Sequence, residues 1–263
     1  MIFMEAEILS LDGKVKGKIE LSKAFDELVR PELIQRAVVA ENTRKLQPQA
    51  HYPLAGMNTS AMYYGAMNSY RSGRHMGIAI RPRQKLGGGV QGQVRVVPSA
   101  VKGKRAHPHL AEKIIKENIN KREYQKALAS AVSATNTFKT NKSKSPIILT
   151  NEIESIKKTK ELLKIFSSIN LLEQIKEDKQ VRIKKGLRRS SIRKHYKKSV
   201  LLVTGKDARA IKAARNIAGV DACEVSNLTA NLLAPGGVPG RMTVWSESAI
   251  KELDASLKKQ NLT

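Results

Sequence analysis

Apolar and polar residues alternate at the start of the chain. Apolar side chains occupy every second position from Ile2 to Ile8, and a second alternating run, 15–21, follows the Asp12-Gly13 pair. Such alternation is typical of a strand with one buried face, and an Asp-Gly pair between two runs favours a tight turn. The chain is therefore predicted to open with a β-hairpin.

Helical periodicity replaces the alternation after residue 21. Ser22 is suited to capping a short helix that reaches Val29, and Pro31 is suited to the first turn of a second helix. Past residue 109, one further helix is predicted around 110–115 and another at Asn120, which Glu123 follows three residues later as in a capping box. Both of these helices are expected to pack on the core.

From residue 146 onward, short apolar strands alternate with helices. Strands are predicted at 147–149, 200–203, 220–225 and 242–245, and helices at 152–166, after Asp207, at 228–233 and after Ser246. This order indicates an α/β fold with an open, mostly parallel, Rossmann-like sheet flanked by helices. The interval 182–198 breaks the pattern with many lysines and arginines and no acid, and is predicted to be a basic surface loop.

Residues 42–111 contain no aspartate or glutamate, but nine glycines and eleven basic residues. A segment of this composition cannot bury enough apolar surface to offset the entropy of its own ordering. We expect it to be extended and to gain its order from a polyanion, with nucleic acid favoured over a membrane surface. The predicted organisation is a globular domain in two parts, 1–41 and 109–263, separated by an extended basic loop, 42–108.

Composition agrees with a nucleic-acid partner. The formal net charge is +25, and the calculated isoelectric point is about 10.2. Cys223 is the one cysteine, which excludes an internal disulfide and a thiolate zinc cluster, and it is predicted to be a small core residue. We find no pattern of a signal peptide and no apolar run long enough to span a membrane, so a cytoplasmic location is expected.

Three motifs raise the alternative of an enzyme. Gly87, Gly89 and Gly92 match a dinucleotide-binding spacing but lack the strand before and the helix after that such a site needs. The 204–207 turn follows a strand, where phosphate often binds, yet an aspartate there would repel an anion and a helix start is favoured. The closely spaced His107 and His109 are poor chelators. No catalytic residue, cofactor or metal site is predicted.

Several motifs together resemble one family. They are SYRSGR at 69–74, VPSAVKGKRAHP at 97–108, the continuation AEKII at 111–115 leading to NKR at 120–122, and NLLAPGG at 231–237. This chain is similar to the archaeal and eukaryotic branch of large-subunit ribosomal protein number four. The resemblance covers nearly the whole chain, with departures from the usual motif at Tyr70, Arg71 and Val238.

The resemblance implies a structural protein of the ribosome, and not an enzyme. In this family a globular α/β domain lies on the outer surface of the large subunit, and an internal extension reaches through ribosomal RNA to the wall of the polypeptide exit tunnel. The implied partners are large-subunit ribosomal RNA, neighbouring ribosomal proteins and the nascent polypeptide. The alternative is an RNA-modifying or nucleotide-dependent enzyme with a basic RNA-binding arm.

Two sets of residues are predicted to carry this function. Phosphate contact and base stacking are assigned to Arg44, Lys45, Tyr63, Tyr64, Arg71, Arg74, Arg81, Arg83, Lys85, Arg95, Lys102, Lys104, Arg105, His107, Arg188, Arg189, Arg193 and Lys194. The tip that lines the tunnel is assigned by the resemblance to Tyr70, Arg71, Ser72, Gly73, Arg74 and His75. Four of the six tyrosines lie in the acid-free segment, which favours stacking over a core role.

Overall fold

The chain forms two compact units. We call Met1–Lys45 together with Lys116–Thr263 the globular unit, and Leu46–Ile115 the inserted unit. The computed structural model describes residues 5–65, 72, 74–84, 92–94, 97–137, 146–172, 175, 182–185, 192–195 and 197–259. Within this described part no helix is both long and apolar enough to cross a bilayer.

A six-stranded sheet forms the centre of the globular unit. Its strands are β1 (Glu5–Leu9), β2 (Val15–Glu20), β3 (Ile147–Leu149), β6 (Leu201–Thr204), β7 (Asp221–Glu224) and β8 (Thr243–Ser246), arranged in the order β2-β1-β3-β8-β6-β7. Only β2 runs antiparallel to its neighbour, while all the other neighbouring strands are parallel. The predicted mostly parallel α/β sheet is therefore confirmed.

Helices cover both faces of this sheet. They are α1 (Pro31–Arg44), α2 (Lys121–Thr137), α3 (Thr159–Ser168), α4 (Ala210–Arg215), α5 (Ala230–Leu233) and α6 (Glu247–Lys259). Successive side chains of a strand point to opposite faces, so β6 sends Leu201 into the core under α1, α2, α5 and α6, and Leu202 into the core under α3 and α4. Trp245 on β8 is fully buried in the first core, where it meets Phe25 edge to face.

The opening hairpin has the predicted turn. Gly13 adopts a φ of +81°, which favours glycine, and the backbone N–H of Ser10 donates to Lys14 O across the turn at 2.8 Å. Ser22 does cap a helix by accepting from the N–H of Ala24, but this is a 3₁₀-helix, Lys23–Asp26. The predicted extension of that helix to residue 29 is wrong, because Glu27 is already extended at its end.

Two helices in the second half of the chain differ from their predictions. Asp207 does not cap a helix, since it has a φ of +55° in a turn and α4 begins only at Ala210. The predicted 152–166 helix is a 3₁₀-helix, Asn151–Ser155, followed by a separate α3. Both segments bury apolar residues, so the predicted helical periodicity is correct although the helix is interrupted between them.

Two further predictions are wrong. Residues 110–120 have no helix, and Leu110 and Ile114 are 40% and 89% exposed, because no element in the described part of the chain covers the apolar positions that suggested a core-packed helix. The basic interval 182–198 contains two paired antiparallel strands, β4 (Arg182–Lys185) and β5 (Ile192–His195), where a loop was predicted. The strand at 182–185 pairs Lys184 with Arg193 in its register.

Candidate nucleic-acid interface

The inserted unit has almost no core. Among its described residues only Gly56 and Val97 are buried, whereas Tyr52, Ile80 and Val101 are 62%, 70% and 84% exposed. Burial of apolar surface is the main favourable contribution to folding, so this unit has little of its own to set against the entropy of ordering. The structure therefore agrees with the composition of residues 42–111, which indicated a segment that buries too little apolar surface to order itself.

Backbone pairing defines the path of the inserted unit. Met62 and Arg83 form an isolated antiparallel bridge with both N–H···O distances at 3.1 Å, and His51 N–H donates to His109 O at 3.3 Å. The chain therefore leaves this bridge at Met62 and is back at it by Arg83. Ser72, one of the residues assigned to the tip, lies at the centre of that interval.

Glycine allows two close backbone approaches in this unit. A Cβ at Gly56 would lie 2.0 Å from Arg105 O, and a Cβ at Gly103 would lie 1.9 Å from Val97 O. Lys104 adds a hydrogen bond from its ammonium group to Asn58 O at 2.6 Å. The approach at Gly56 and the Lys104 hydrogen bond therefore hold the GKRAHP motif against the turn at 54–58, and a side chain would not fit at either glycine.

Positive charge in the inserted unit has almost no internal counter-charge. Glu112 is the single acidic residue between positions 46 and 115. Of the basic residues predicted to bind RNA, the described and exposed ones in this unit are Arg74, Arg81, Lys102, Lys104 and Arg105. Arg83 is partly buried, and its guanidinium donates to Ala79 O at 3.0 Å. This surface is suited to an anion with many closely spaced charges.

Two tyrosines and a histidine expose ring surface in the same unit. Tyr63 and Tyr64 are 38% and 39% exposed, and His107 is exposed. Gly65 leaves room for the Tyr63 ring, because a Cβ at that glycine would lie 2.2 Å from Tyr63 Cε1. Partly exposed aromatic rings beside cationic groups can stack on bases that are not paired in a duplex.

The other predicted site residues fall in three places. Arg44 ends α1, with Lys45 exposed just after it, and both belong to the globular unit. Arg193 and Lys194 lie in β5. Ser72 is partly buried and His75 is exposed with a φ of +60°. Outside the described residues lie Tyr70, Arg71, Gly73, Lys85, Arg95, Arg188 and Arg189.

Sequence reasoning missed a buried carboxylate near the point where the inserted unit leaves the globular unit. Glu41, near the end of α1, is 8% exposed and accepts from the Tyr124 hydroxyl on α2 at 2.8 Å. It also accepts from the backbone N–H groups of Ala230 and Asn231 at 2.8 and 3.0 Å. Burial and the adjacent carboxylate raise the pKa of Tyr124 well above its ordinary value.

These contacts join three segments that are distant in the sequence. Glu41 precedes the inserted unit, Tyr124 follows it, and Ala230 begins α5 directly before the NLLAPGG motif. A second contact, from Glu117 N–H to the Thr43 hydroxyl at 3.1 Å, ties the returning chain to the end of α1. The signal available in the sequence was an acidic residue on the buried stripe of α1, three positions after Val38.

The turn at 204–207 is closed to phosphate. The N–H of Gly205 donates to Glu154 Oε1 at 2.9 Å, and Ser246 Oγ donates to the same oxygen at 2.7 Å. Ser248 Oγ forms a further short hydrogen bond to that carboxylate. A bound phosphate would meet a negative charge at the edge of a parallel sheet where such ligands usually bind. Among the described residues no group of three or more His, Cys, Asp or Glu side chains could hold a metal ion.

Comparison with known proteins identifies similar chains. The model of the ribosomal protein L4/L1 family matches residues 19–256. The large ribosomal subunit protein uL4 of Archaeoglobus fulgidus is 42% identical over 260 residues, covering 95% of this chain and 98% of that protein. The uL4 proteins of Methanospirillum hungatei and Methanococcus vannielii are each 38% identical, with 95% of this chain and 98% of each relative covered.

Proposed function

The chain belongs to the ribosomal protein L4/L1 family, and we propose that its inserted unit is the part that binds large-subunit ribosomal RNA. As a member of this family the protein is a structural constituent of the large ribosomal subunit and not an enzyme. It works in translation as part of a ribonucleoprotein, in contact with ribosomal RNA and ribosomal proteins.

Two features of the inserted unit together support this proposal: it has almost no buried core, and acidic residues do not balance its positive charge. The inserted unit exposes six described basic side chains with one acidic residue in its whole length, and buries almost nothing. Ribosomal RNA supplies what such a segment lacks, because phosphates neutralise the cations and bases cover the rings of Tyr63 and Tyr64. The close backbone approaches at Gly56 and Gly103 keep this part of the inserted unit thin, so that it can pass between RNA helices.

We assign the tip of the inserted unit to residues 70–75, and propose that it lines the exit tunnel and meets the nascent polypeptide. The family resemblance gives this assignment its function, and the Met62–Arg83 bridge supports its position, because Ser72 is central between the two partners. Only Arg71 and Arg74 within the tip are basic, so most phosphate-directed charge lies outside it.

Salt dependence tests the role of the inserted unit. If about eight of its cations meet phosphate, the logarithm of affinity for ribosomal RNA should fall with the logarithm of salt with a slope of about −6 to −7. Changing Arg74, Arg81, Lys102, Lys104 and Arg105 together to glutamine should reduce the steepness by about 3.5 to 4.5. A slope near −2 for the unmodified protein would contradict the proposal.

The tip requires a different measurement, because its proposed role is not affinity. Substituting Tyr70, Arg71 and Arg74 together by alanine should leave incorporation into the subunit nearly unchanged, since few phosphate contacts are lost. Ribosomes with the triple change should show altered stalling on nascent peptides that interact with the tunnel wall. Failure of the variant to enter subunits would refute this assignment.

The enzyme alternative is set aside. The family is a family of structural ribosomal proteins, and Glu154 occupies the position at the strand ends that a nucleotide phosphate would need. A true nucleotide site would stabilise the fold by about 2.7 kcal/mol at a hundredfold excess over its dissociation constant. We expect thermal melting to show no such saturable stabilisation.

A further inference from the structure

We propose that the globular unit carries a second RNA-binding surface, formed by the exposed lysines and arginines of α3 and α4 and their flanking residues. We call residues 156–169 and 205–219 the α3–α4 surface. The inference rests on the proposed function, because it specifies a further part of the same protein that contacts ribosomal RNA. None of the residues predicted from the sequence to bind RNA lies on this surface.

The two helical layers of the globular unit differ sharply in charge. The α3–α4 surface contains eight basic residues and two acidic ones, Glu161 and Asp207. The opposite layer, with α1, α2, α5 and α6, contains eight basic and six acidic residues in twice as many helices. The α3–α4 surface therefore has a net charge of +6, against +2 for the helices of the opposite layer.

Pairing increases this difference. On the opposite layer Arg36 binds Glu123 at 2.7 Å and Lys251 binds Glu247 at 2.6 Å. On the α3–α4 surface Lys158 lies 3.7 Å from Glu161. Within the described part of the chain, seven exposed cations of this surface form no ion pair: Lys157, Lys160, Lys164, Lys206, Arg209, Lys212 and Arg215.

The geometry places these cations on one outward side. Helices α3 and α4 contact each other and share a core through Leu162, Phe166 and Ile211, and the cations lie on the exposed sides of the two helices. Lys160 and Lys164 are one turn apart, about 6 Å along α3. Lys212 and Arg215 are three positions apart, about 4.5 Å along α4, and Arg209 directly precedes the helix.

The chemistry of the surface selects phosphate over bases. Its only aromatic residue is Phe166, which is fully buried, so no ring is available for stacking. Lysine and arginine side chains on rigid helices match a row of backbone phosphates without reading sequence. A structured RNA strand is therefore the partner that fits, in contrast to the unpaired bases expected beside Tyr63 and Tyr64.

The surface also continues towards the other basic element of the globular unit. Segment 182–198 rejoins the sheet at Ser199, whose backbone N–H donates to Gly219 O at 2.8 Å just after α4. Lys197 O lies within 2.9 Å of the Cβ position of Gly219. The end of that segment therefore runs beside Gly219, four residues after α4 ends.

A matched pair of quadruple variants of the full chain tests the inference. The test variant is K160Q/K164Q/K212Q/R215Q, and the control is K23Q/K121Q/K126Q/K251Q, which removes the same charge from exposed positions of the opposite layer. Lysine, arginine and glutamine have similar helix propensities, and unchanged melting temperatures should verify that both variants fold. Affinity for a transcript of large-subunit ribosomal RNA is then measured between 50 and 200 mM salt.

We expect the salt slope of the test variant to be less steep by about 3, as four phosphate contacts require. The ratio of its affinities at 50 and 200 mM salt should accordingly fall by about 50- to 150-fold relative to the unmodified protein. The control should change that slope by less than about 1. Equal slopes for the test and control variants would overturn the inference.

Lysine acylation followed by mass spectrometry gives a second readout that needs no variant. RNA should protect Lys160, Lys164 and Lys212 while leaving Lys126 and Lys251 reactive, and equal reactivity of the two groups would refute the surface. The proposed function fails separately, if the unmodified chain binds large-subunit RNA no better than an unrelated RNA of the same length. Loss of protection on the α3–α4 surface alone would leave that function intact.

Discussion

Removal of the Glu41 carboxylate tests whether it holds the globular unit together where the inserted unit begins. The substitution Glu41→Ala deletes the acceptor of three hydrogen bonds, from the Tyr124 hydroxyl and from two backbone N–H groups of α5. All three donors would lose their partner in a site too enclosed for ready hydration, since Glu41 and Tyr124 are 8% and 3% exposed.

The expected loss of unfolding free energy is about 3 to 5 kcal/mol. Each hydrogen bond to a charged group contributes about 1.5 to 3 kcal/mol, and relief of the buried charge's desolvation offsets part of their sum. Tyr124→Phe should cost only about 1 to 2 kcal/mol, because Glu41 keeps its two backbone donors. Against a typical total of about 5 to 15 kcal/mol, only the alanine change threatens the fold.

Urea unfolding of the full chain at pH 7, followed by circular dichroism, measures these differences. Glu41→Gln should fall between the two variants above, because its amide retains an oxygen acceptor but presents N–H groups to backbone donors. Glu32→Ala is the matched control, since Glu32 lies on the same helix but is exposed, and it should cost less than about 0.5 kcal/mol. A Glu41→Ala cost no larger than that of the control would refute the role of the carboxylate.

Two other predictions concern separate parts of the molecule. Asp221 accepts from buried Arg241 at 2.8 Å, and although burial favours its neutral form, hydrogen bonding by Lys198 and the charge of Arg241 hold the pKa of Asp221 below its ordinary value. The stability that the Asp221 carboxylate contributes is present above about pH 4 and is lost as pH falls further. The unfolding free energy of Asp221→Asn should therefore be lower at pH 7 by about 3 kcal/mol, and its melting should depend less on pH below pH 4. Replacement of residues 52–103 by a short glycine-serine linker should leave cooperative melting almost unchanged, because the inserted unit buries so little, and loss of cooperativity would show that it belongs to the folding core.

The parallel sheet could be predicted because its strands are buried on both faces. Uninterrupted apolar runs such as Ile147–Leu149 and Leu201–Thr204 are typical of strands covered by helices on both sides, and the helices between them keep an amphipathic spacing. Patterns of this kind depend on neighbours in the sequence. The hairpin at Gly13 was equally accessible, since its turn is formed within residues 10–14.

Predictions failed where distant parts of the chain decide the local structure. The spacing of Leu110 and Ile114 suits a helix, yet both side chains remain exposed, because no element of the described chain covers them. Asp207 was expected to cap α4, but the carboxylate of Glu154 binds the N–H of Gly205 and the helix starts later. Neither the exposure of Leu110 and Ile114 nor the hydrogen bond between Gly205 and Glu154 can be recognised from the neighbouring sequence.

The same distinction between local sequence and distant contacts applies to the residues of the candidate site. Absence of acidic residues is a property of the sequence itself, so the charge of residues 42–111 could be recognised without knowing any contact. The α3–α4 surface could not be, because its cations come from two segments separated by about forty residues and each run alone contains an acid and ordinary helical spacing. Glu41 was hidden for a related reason, since its donors lie on α2 and α5.

Stability and RNA binding should respond to different variables in this protein. The globular unit is held by two apolar cores and a few buried ionic groups, whose contributions salt screens weakly. Binding by the inserted unit and the α3–α4 surface depends on exposed cations, for which salt lowers affinity in proportion to the number of phosphates contacted. A rise in salt from 50 to 200 mM should therefore weaken RNA binding by orders of magnitude while it leaves the melting temperature of the free protein nearly constant. Because the two quantities separate in this way, a variant that loses RNA affinity with an unchanged melting temperature has lost contacts to RNA, and its fold is intact.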